Sequence, residues 1–206
     1  MQEIVQVLLF FIAAILHGIT GMAFPMLATT SLAFIMLLSK VVALVAIPSL
    51  FMSLLLLCSH NQKGIYQDFI YYLKHYKLLA ISSLIGSFLG VKLLFILPVS
   101  YIYLLMAIVT LYYSLNGLLN IYGRAKIISV NANQKNMCLF GFLAGIIGGA
   151  TNAMSPILLM YLFSETNDRN RIAKTSNLCF LLAKIVQICM LRNQYLMLNK
   201  SEYGLI

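Results

Sequence analysis

From residue 41 to residue 58 the chain runs without a charged side chain, and residues 101–122 do the same. No other feature restricts the fold as strongly. Apolar runs of about 20 residues match the hydrocarbon thickness of a bilayer. Lipid cannot hydrogen-bond the backbone, so such runs must satisfy their own N–H and C=O groups, here as helices. The rest of the chain agrees: 62% of the 206 residues are hydrophobic and only 9% are charged. Soluble domains carry about 25% charged residues. An ordinary cytosolic enzyme, a disordered tail and a disulfide-stapled secreted module are all excluded.

The reading is an all-α polytopic membrane protein, with residues 1–206 as one transmembrane domain embedded among membrane lipids. The length leaves room for roughly six to eight crossings. Net charge is +9, from 14 Lys and Arg against 5 Asp and Glu. Basic residues in short loops fix membrane orientation, and no basic run is interleaved with aromatics as nucleic-acid binding would need, so no nucleic acid is expected. Cys58, Cys138, Cys179 and Cys189 show no CxxC spacing and fall in or beside apolar runs. They read as packing residues, with no metal site or cofactor. The only early charge is Glu3, so the first apolar segment lacks the basic start of a cleavable signal.

Apolar stretches cover 4–38, 41–58, 78–97, 101–122, 138–163 and 172–191. Polar segments 59–77 and 123–137 each carry three Lys or Arg. Two spans separate them, so both lie on one face, which the positive-inside rule makes cytoplasmic. The segment 164–171 is also basic. For it to share that face, 138–163 must fold back near 148–156 as a re-entrant hairpin instead of crossing once.

The two breaks in the apolar sequence resemble each other. Gly18-Ile-Thr-Gly21 recurs as Gly145-Ile-Ile-Gly148, and each is followed by a proline, Pro25 or Pro156. The second proline stands four positions further from its glycine. Matching Gly/Pro interruptions in two halves of an apolar chain point to a transporter binding site, because a broken membrane helix is tolerated only where it lines a cavity or is buried in protein. Three spans lie between the breaks, and an odd number inverts the second copy. The expected organisation is repeat one at 4–122, a basic linker at 123–137 and a partial, inverted repeat two at 138–206.

His17-Gly-Ile-Thr-Gly-Met-Ala-Phe-Pro25, taken with Gly141-Phe-Leu-Ala-Gly-Ile-Ile-Gly-Gly149, resembles the sulfite exporter TauE/SafE family. The likeness extends through the helix with Gly86 and Gly90 and the basic linker, nearly the whole chain. It implies a bacterial inner-membrane transporter of sulfur-containing or carboxylated organic anions such as sulfite or sulfoacetate, working in export. Family members continue for about two more helices after the second repeat, and here the second copy has nothing matching 78–122 of the first half. The resemblance therefore also allows a shortened, non-transporting or assembly subunit that needs a partner chain. A homo-oligomer is a further possibility.

Candidate substrate-binding residues fall in the breaks and on one later helix. The first break offers His17, Gly18, Thr20, Gly21 and Pro25, the second Gly148, Asn152, Ser155 and Pro156. Thr20, Asn152 and Ser155 serve equally well as local caps on freed backbone groups. Lys184 shares a helical stripe with Lys174, Asn177 and Gln187. A lysine inside the membrane is costly and faces a cavity or a partner: Lys184 either snorkels or bonds backbone carbonyls, or it holds an anionic substrate. Lys40 and Lys92 sit near span ends and read as anchors. Gly86 and Gly90 have the spacing of close helix packing.

None of the five carboxylates lies in an apolar span, so a proton relay would have only His17 to use. No paired acids and no HExxH sequence occur, which argues against an intramembrane enzyme. An uncoupled anion carrier needs none of these groups.

Overall fold

The computed structural model describes residues 2–59, 64–122 and 130–196, all helical apart from short connections. Helices run in the order α1 (Gln2–Thr20), α2 (Phe24–Leu32), α3 (Leu38–Cys58), α4 (Ile65–His75), α5 (Lys77–Ile96), α6 (Val99–Ile121), α7 (Gln134–Thr151), α8 (Ser155–Glu165), α9 (Arg169–Met190) and α10 (Arg192–Tyr195). Among the described residues four helices are long and apolar enough to cross a membrane: α3, α5, α6 over Val99–Leu119, and α9. These four are fewer than the six to eight crossings that length allows, because much of the remaining described apolar sequence folds back on itself.

The tightest seam joins α5 to α7, and glycine makes it possible. A methyl group added at Gly145 would stand 2.9 Å from Ser83 Cα, and one at Gly149 would stand 2.9 Å from Ser87 Cα. At Gly86 and Gly90 it would run into the carbonyls of Phe142 and Ile146. These are backbone-to-backbone approaches that only a residue without Cβ allows. Gly141 meets Leu79, Gly145 meets Ser83 and Gly149 meets Ser87, so the contacts advance together and the two helices run parallel.

That direction fixes the path of the second broken segment. The chain enters α7 beside the start of α5. Glu165, at the end of α8, accepts a hydrogen bond from Tyr76, the residue preceding α5. Val130, just before α7, donates its N–H to Ser164 Oγ at 3.1 Å. Entry and exit are therefore at one end of the bundle, and α7–α8 is a re-entrant hairpin.

α1 and α2 also fold back. The Phe10 and Phe24 rings meet edge to face with centroids 5.4 Å apart, whereas one continuous helix would separate these positions by about 20 Å. α2 finishes at the opposite end of the bundle from Glu165: Tyr103, near the start of α6, donates to the Ala33 carbonyl at 3.2 Å. The two hairpins thus enter from opposite ends of α5.

α9 runs antiparallel to α3. Gly21 lies between Leu56 and Ala173 at one end, and Tyr195 bonds the Ala43 carbonyl at the other. The polar segment before α5 is more ordered than its composition implies. It forms α4, which packs Phe69 and Tyr72 on the Leu57, Leu178 and Leu181 cluster and pairs Asp68 with Lys174 at 3.1 Å. Apolar side chains on one face and polar ones on the other suit a helix lying at the surface of the bundle. The basic segments around α4 and the start of α9 consequently share one end. Positions 123–129 of the linker and 197–206 of the expected second repeat lie outside the described residues.

Candidate functional site

Each hairpin turns through the same local structure. α1 stops at Thr20 because Gly21 takes φ +77°, and α7 stops at Thr151 because Asn152 takes φ 63°. A left-handed residue ends a helix, and after glycine it is Asn that tolerates this conformation best. Thr20 Oγ donates to the Leu16 carbonyl at 2.8 Å and Thr151 Oγ to the Ile147 carbonyl at 2.6 Å. Each threonine oxygen then accepts a backbone N–H two residues on, from Met22 or Ala153. Gly21 N–H bonds the His17 carbonyl, and Asn152 N–H bonds that of Gly148.

The second break is therefore centred on Asn152, one turn beyond the Gly148 that the sequence match aligned with Gly21. Gly148 lies inside α7, where a side chain would press on Met154, 2.7 Å from an added Cβ. The four-residue mismatch in proline spacing disappears with this correction. Pro25 follows Gly21, and Pro156 follows Asn152, by four positions. Both prolines occupy the first turn of the returning helix, where a missing N–H costs nothing.

α9 holds both turns with side-chain amides. Asn177 donates to the Gly21 carbonyl at 2.5 Å. Gln187 donates to the Gly148 and Gly149 carbonyls, each at 3.0 Å. Around the second turn a buried network closes: Lys184 donates to Asn152 Oδ1 and, at 2.7 Å, to Gln187 Oε1. Asn152 passes the chain on to Thr29 Oγ at 2.8 Å, and Thr29 donates to the Pro25 carbonyl at 2.7 Å. Lys184 is only 3% exposed and Asn152 2%. All four polar residues of the α9 stripe are thus engaged, with Lys174 paired to Asp68.

Beside this network lies a recess of about 840 Å³. Thr20, Gly21 and Met22 of the first break line it, and so do Ser155 and Pro156 of the second. Ser155 Oγ donates to the Met22 carbonyl at 3.0 Å, tying the two turns together directly. Thr110 and Tyr113 of α6 close one side, and Arg169 and Asn170 stand at the end of the bundle that carries α4.

The candidate residues consequently divide. Thr20, Gly21, Ser155 and Pro156 line the recess. Gly148, Asn152 and Lys184 form the network next to it and are absent from the lining. His17 is buried and accepts the Phe24 N–H at 3.2 Å through Nδ1, holding the start of α2. Pro25 is buried within α2, and Gly18 is exposed with nothing within 4 Å of an added Cβ. Arg169 and Asn170, with Thr110, Tyr113 and Ser114 of α6, are polar lining residues that sequence reasoning passed over, the first two because a basic segment was weighed there only for orientation.

A second polar cluster supports the rim of the recess. Arg171 donates to Tyr76 Oη at 2.8 Å and to Glu165 at 3.1 Å, and its other contact is His75 Nε2 at 2.6 Å. Burial, with the Glu165 carboxylate beside it, holds the Tyr76 hydroxyl above the usual tyrosine range. The cluster joins the ends of α4 and α8 to the first turn of α9.

The sequence profile described as Sulfite exporter TauE/SafE matches residues 6–202. No curated protein and no solved structure matches the chain.

Proposed function

The chain belongs to the sulfite exporter TauE/SafE family, a family of membrane transporters of sulfite-type anions, and from that premise we propose that it moves a small sulfur-containing or carboxylated anion out of the cytoplasm across the inner membrane. The observation that carries this reading is a recess walled by both helix breaks. A transporter needs its solute to reach a place where the lipid-facing shell is interrupted, and irregular backbone at membrane depth belongs at such a place.

In this reading the two hairpins form an inverted pair. Their entry from opposite ends of α5 supports it, as does the shared hydrogen-bond pattern of their turns. The recess reaches the end of the bundle that holds α4 and the start of α9, the basic end and hence the cytoplasmic one. Loading from that side suits export. An inside-negative potential drives an anion outward by about 2.3 kcal/mol per charge per 100 mV, so voltage alone can supply the direction.

Proteoliposomes loaded with sulfite or sulfoacetate test this. Efflux should rise when the outside is made positive by a potassium diffusion potential, and collapse of the potential should slow it. Efflux that ignores voltage removes the driving force proposed, and protein-free rates for both anions remove the transport reading itself.

A further inference from the structure

We propose that Arg169 is the residue that selects for negative charge in this transporter, standing at the inner mouth of the recess as its anion-receiving group. The proposal rests on the transport reading and adds the identity of the cation.

Three hydroxyl groups of the recess are poor candidates for the task. Thr20 donates its proton to the Leu16 carbonyl, Thr110 to the Met106 carbonyl at 2.7 Å and Ser155 to the Met22 carbonyl. A hydroxyl has one proton. With it committed inward, these three groups offer only oxygen lone pairs, and the remaining lining hydroxyls, on Tyr113 and Ser114, are neutral donors that bring no positive charge. Positive charge must come from elsewhere.

Three cations lie in the first two turns of α9, and two are already used. Arg171 is held by Glu165, Tyr76 and His75, and Lys174 is paired with Asp68. Lys184, further along, is buried against Asn152 and Gln187 and does not line the recess. Arg169 differs on both counts. It lines the recess, and it has no hydrogen bond or ion pair with another side chain among the described residues. It is also the one charged side chain among the described lining residues, with no carboxylate to compete. Asn170 beside it can add an amide N–H. A planar guanidinium, exposed and lining a largely apolar recess, suits the two-point recognition of a sulfite, sulfonate or carboxylate head.

The experiment pairs flux with binding. Wild type, Arg169→Gln, Arg169→Lys and Lys92→Gln are purified, checked for equal thermal stability without ligand, and assayed for sulfite efflux from proteoliposomes and for sulfite-dependent thermal stabilisation in detergent. Lys92 lies on α5 over the Phe88 ring and controls for loss of a remote cation. Arg169→Gln should raise the half-saturating sulfite concentration by about tenfold or more, as expected for one lost charge-assisted hydrogen bond. It should also flatten the dependence on added chloride. Arg169→Lys keeps the charge but loses the two-point fork, so it should fall between wild type and Arg169→Gln while keeping the chloride dependence, and Lys92→Gln should match wild type.

Normal saturation and salt dependence in Arg169→Gln overturn the proposal while leaving transport standing. Sulfite stabilisation that needs Arg169 in a protein with no flux keeps the proposal and overturns the transport reading. Neither stabilisation nor flux in wild type overturns both.

Discussion

The two helix breaks share one backbone and differ in what surrounds it. At the first, the left-handed residue is Gly21, the threonine before it is exposed, and a single neutral amide from Asn177 reaches across. At the second, the left-handed residue is Asn152, whose side chain is clasped by Lys184, Gln187 and Thr29 in a buried network. Glycine suits the first because it takes φ +77° without strain, and an added Cβ would also press on Ala173 and Leu56 at 3.1 and 3.2 Å. Asparagine at the second tolerates the same φ and contributes an amide besides. One turn serves as an adaptable wall and the other as a cross-link between halves. Identical local geometry does not imply identical duty.

Substitutions at equivalent positions put numbers on this contrast. The largest effect belongs to Asn152→Leu, which strains a left-handed position and strips Lys184 and Gln187 of a buried partner. A loss of about 3–5 kcal/mol is expected, read as a lower melting temperature and poor recovery of monodisperse protein. A variant that melts like wild type would erase the distinction between the two turns.

Next comes the pair Gly149→Ala and Gly18→Ala, which occupy the same place relative to their turns. A methyl at Gly149 collides with the Ser87 backbone, and overpacking of this kind costs about 1–3 kcal/mol. Gly18 meets open space, so alanine there should stabilise α1 by up to about 1 kcal/mol. Thermal shifts of opposite sign are the expected result. Smallest is Asn177→Ala, which removes one bond to the Gly21 carbonyl and should cost about 0.6–1 kcal/mol, the usual scale for a polar contact within a membrane protein. Gln187→Ala frees two carbonyls and a lysine and should cost more. Equal losses in the two would mean that the turns are braced alike.

Much of this was readable from sequence because it depends on chain-local chemistry. Gly86 and Gly90 advertise close packing by spacing alone, and the α9 stripe by its polar residues inside an apolar run. The re-entrant path followed from charge counts on three loops. Other features depend on three-dimensional choices that composition does not encode. The repeated Gly-Ile-x-Gly pattern drew the second break to Gly148, although a helix ends where a residue turns left-handed, and Asn152 does so one turn later. α4 hid in a segment whose polarity masks one apolar face. Lys184 stood out as a solitary intramembrane cation, yet the chain supplies it with Asn152 and Gln187, while Arg169 looked like one basic residue among several until the partners of Arg171 and Lys174 were known.

The glycine seam between α5 and α7 has a mechanical consequence. Two helices whose main chains interlock at every turn bend and tilt as one girder, and sliding either along the other would drive Phe142 and Ser87 carbonyls into solid backbone. Whatever rearrangement carries cargo past the midpoint must hinge around that girder and leave its length unchanged.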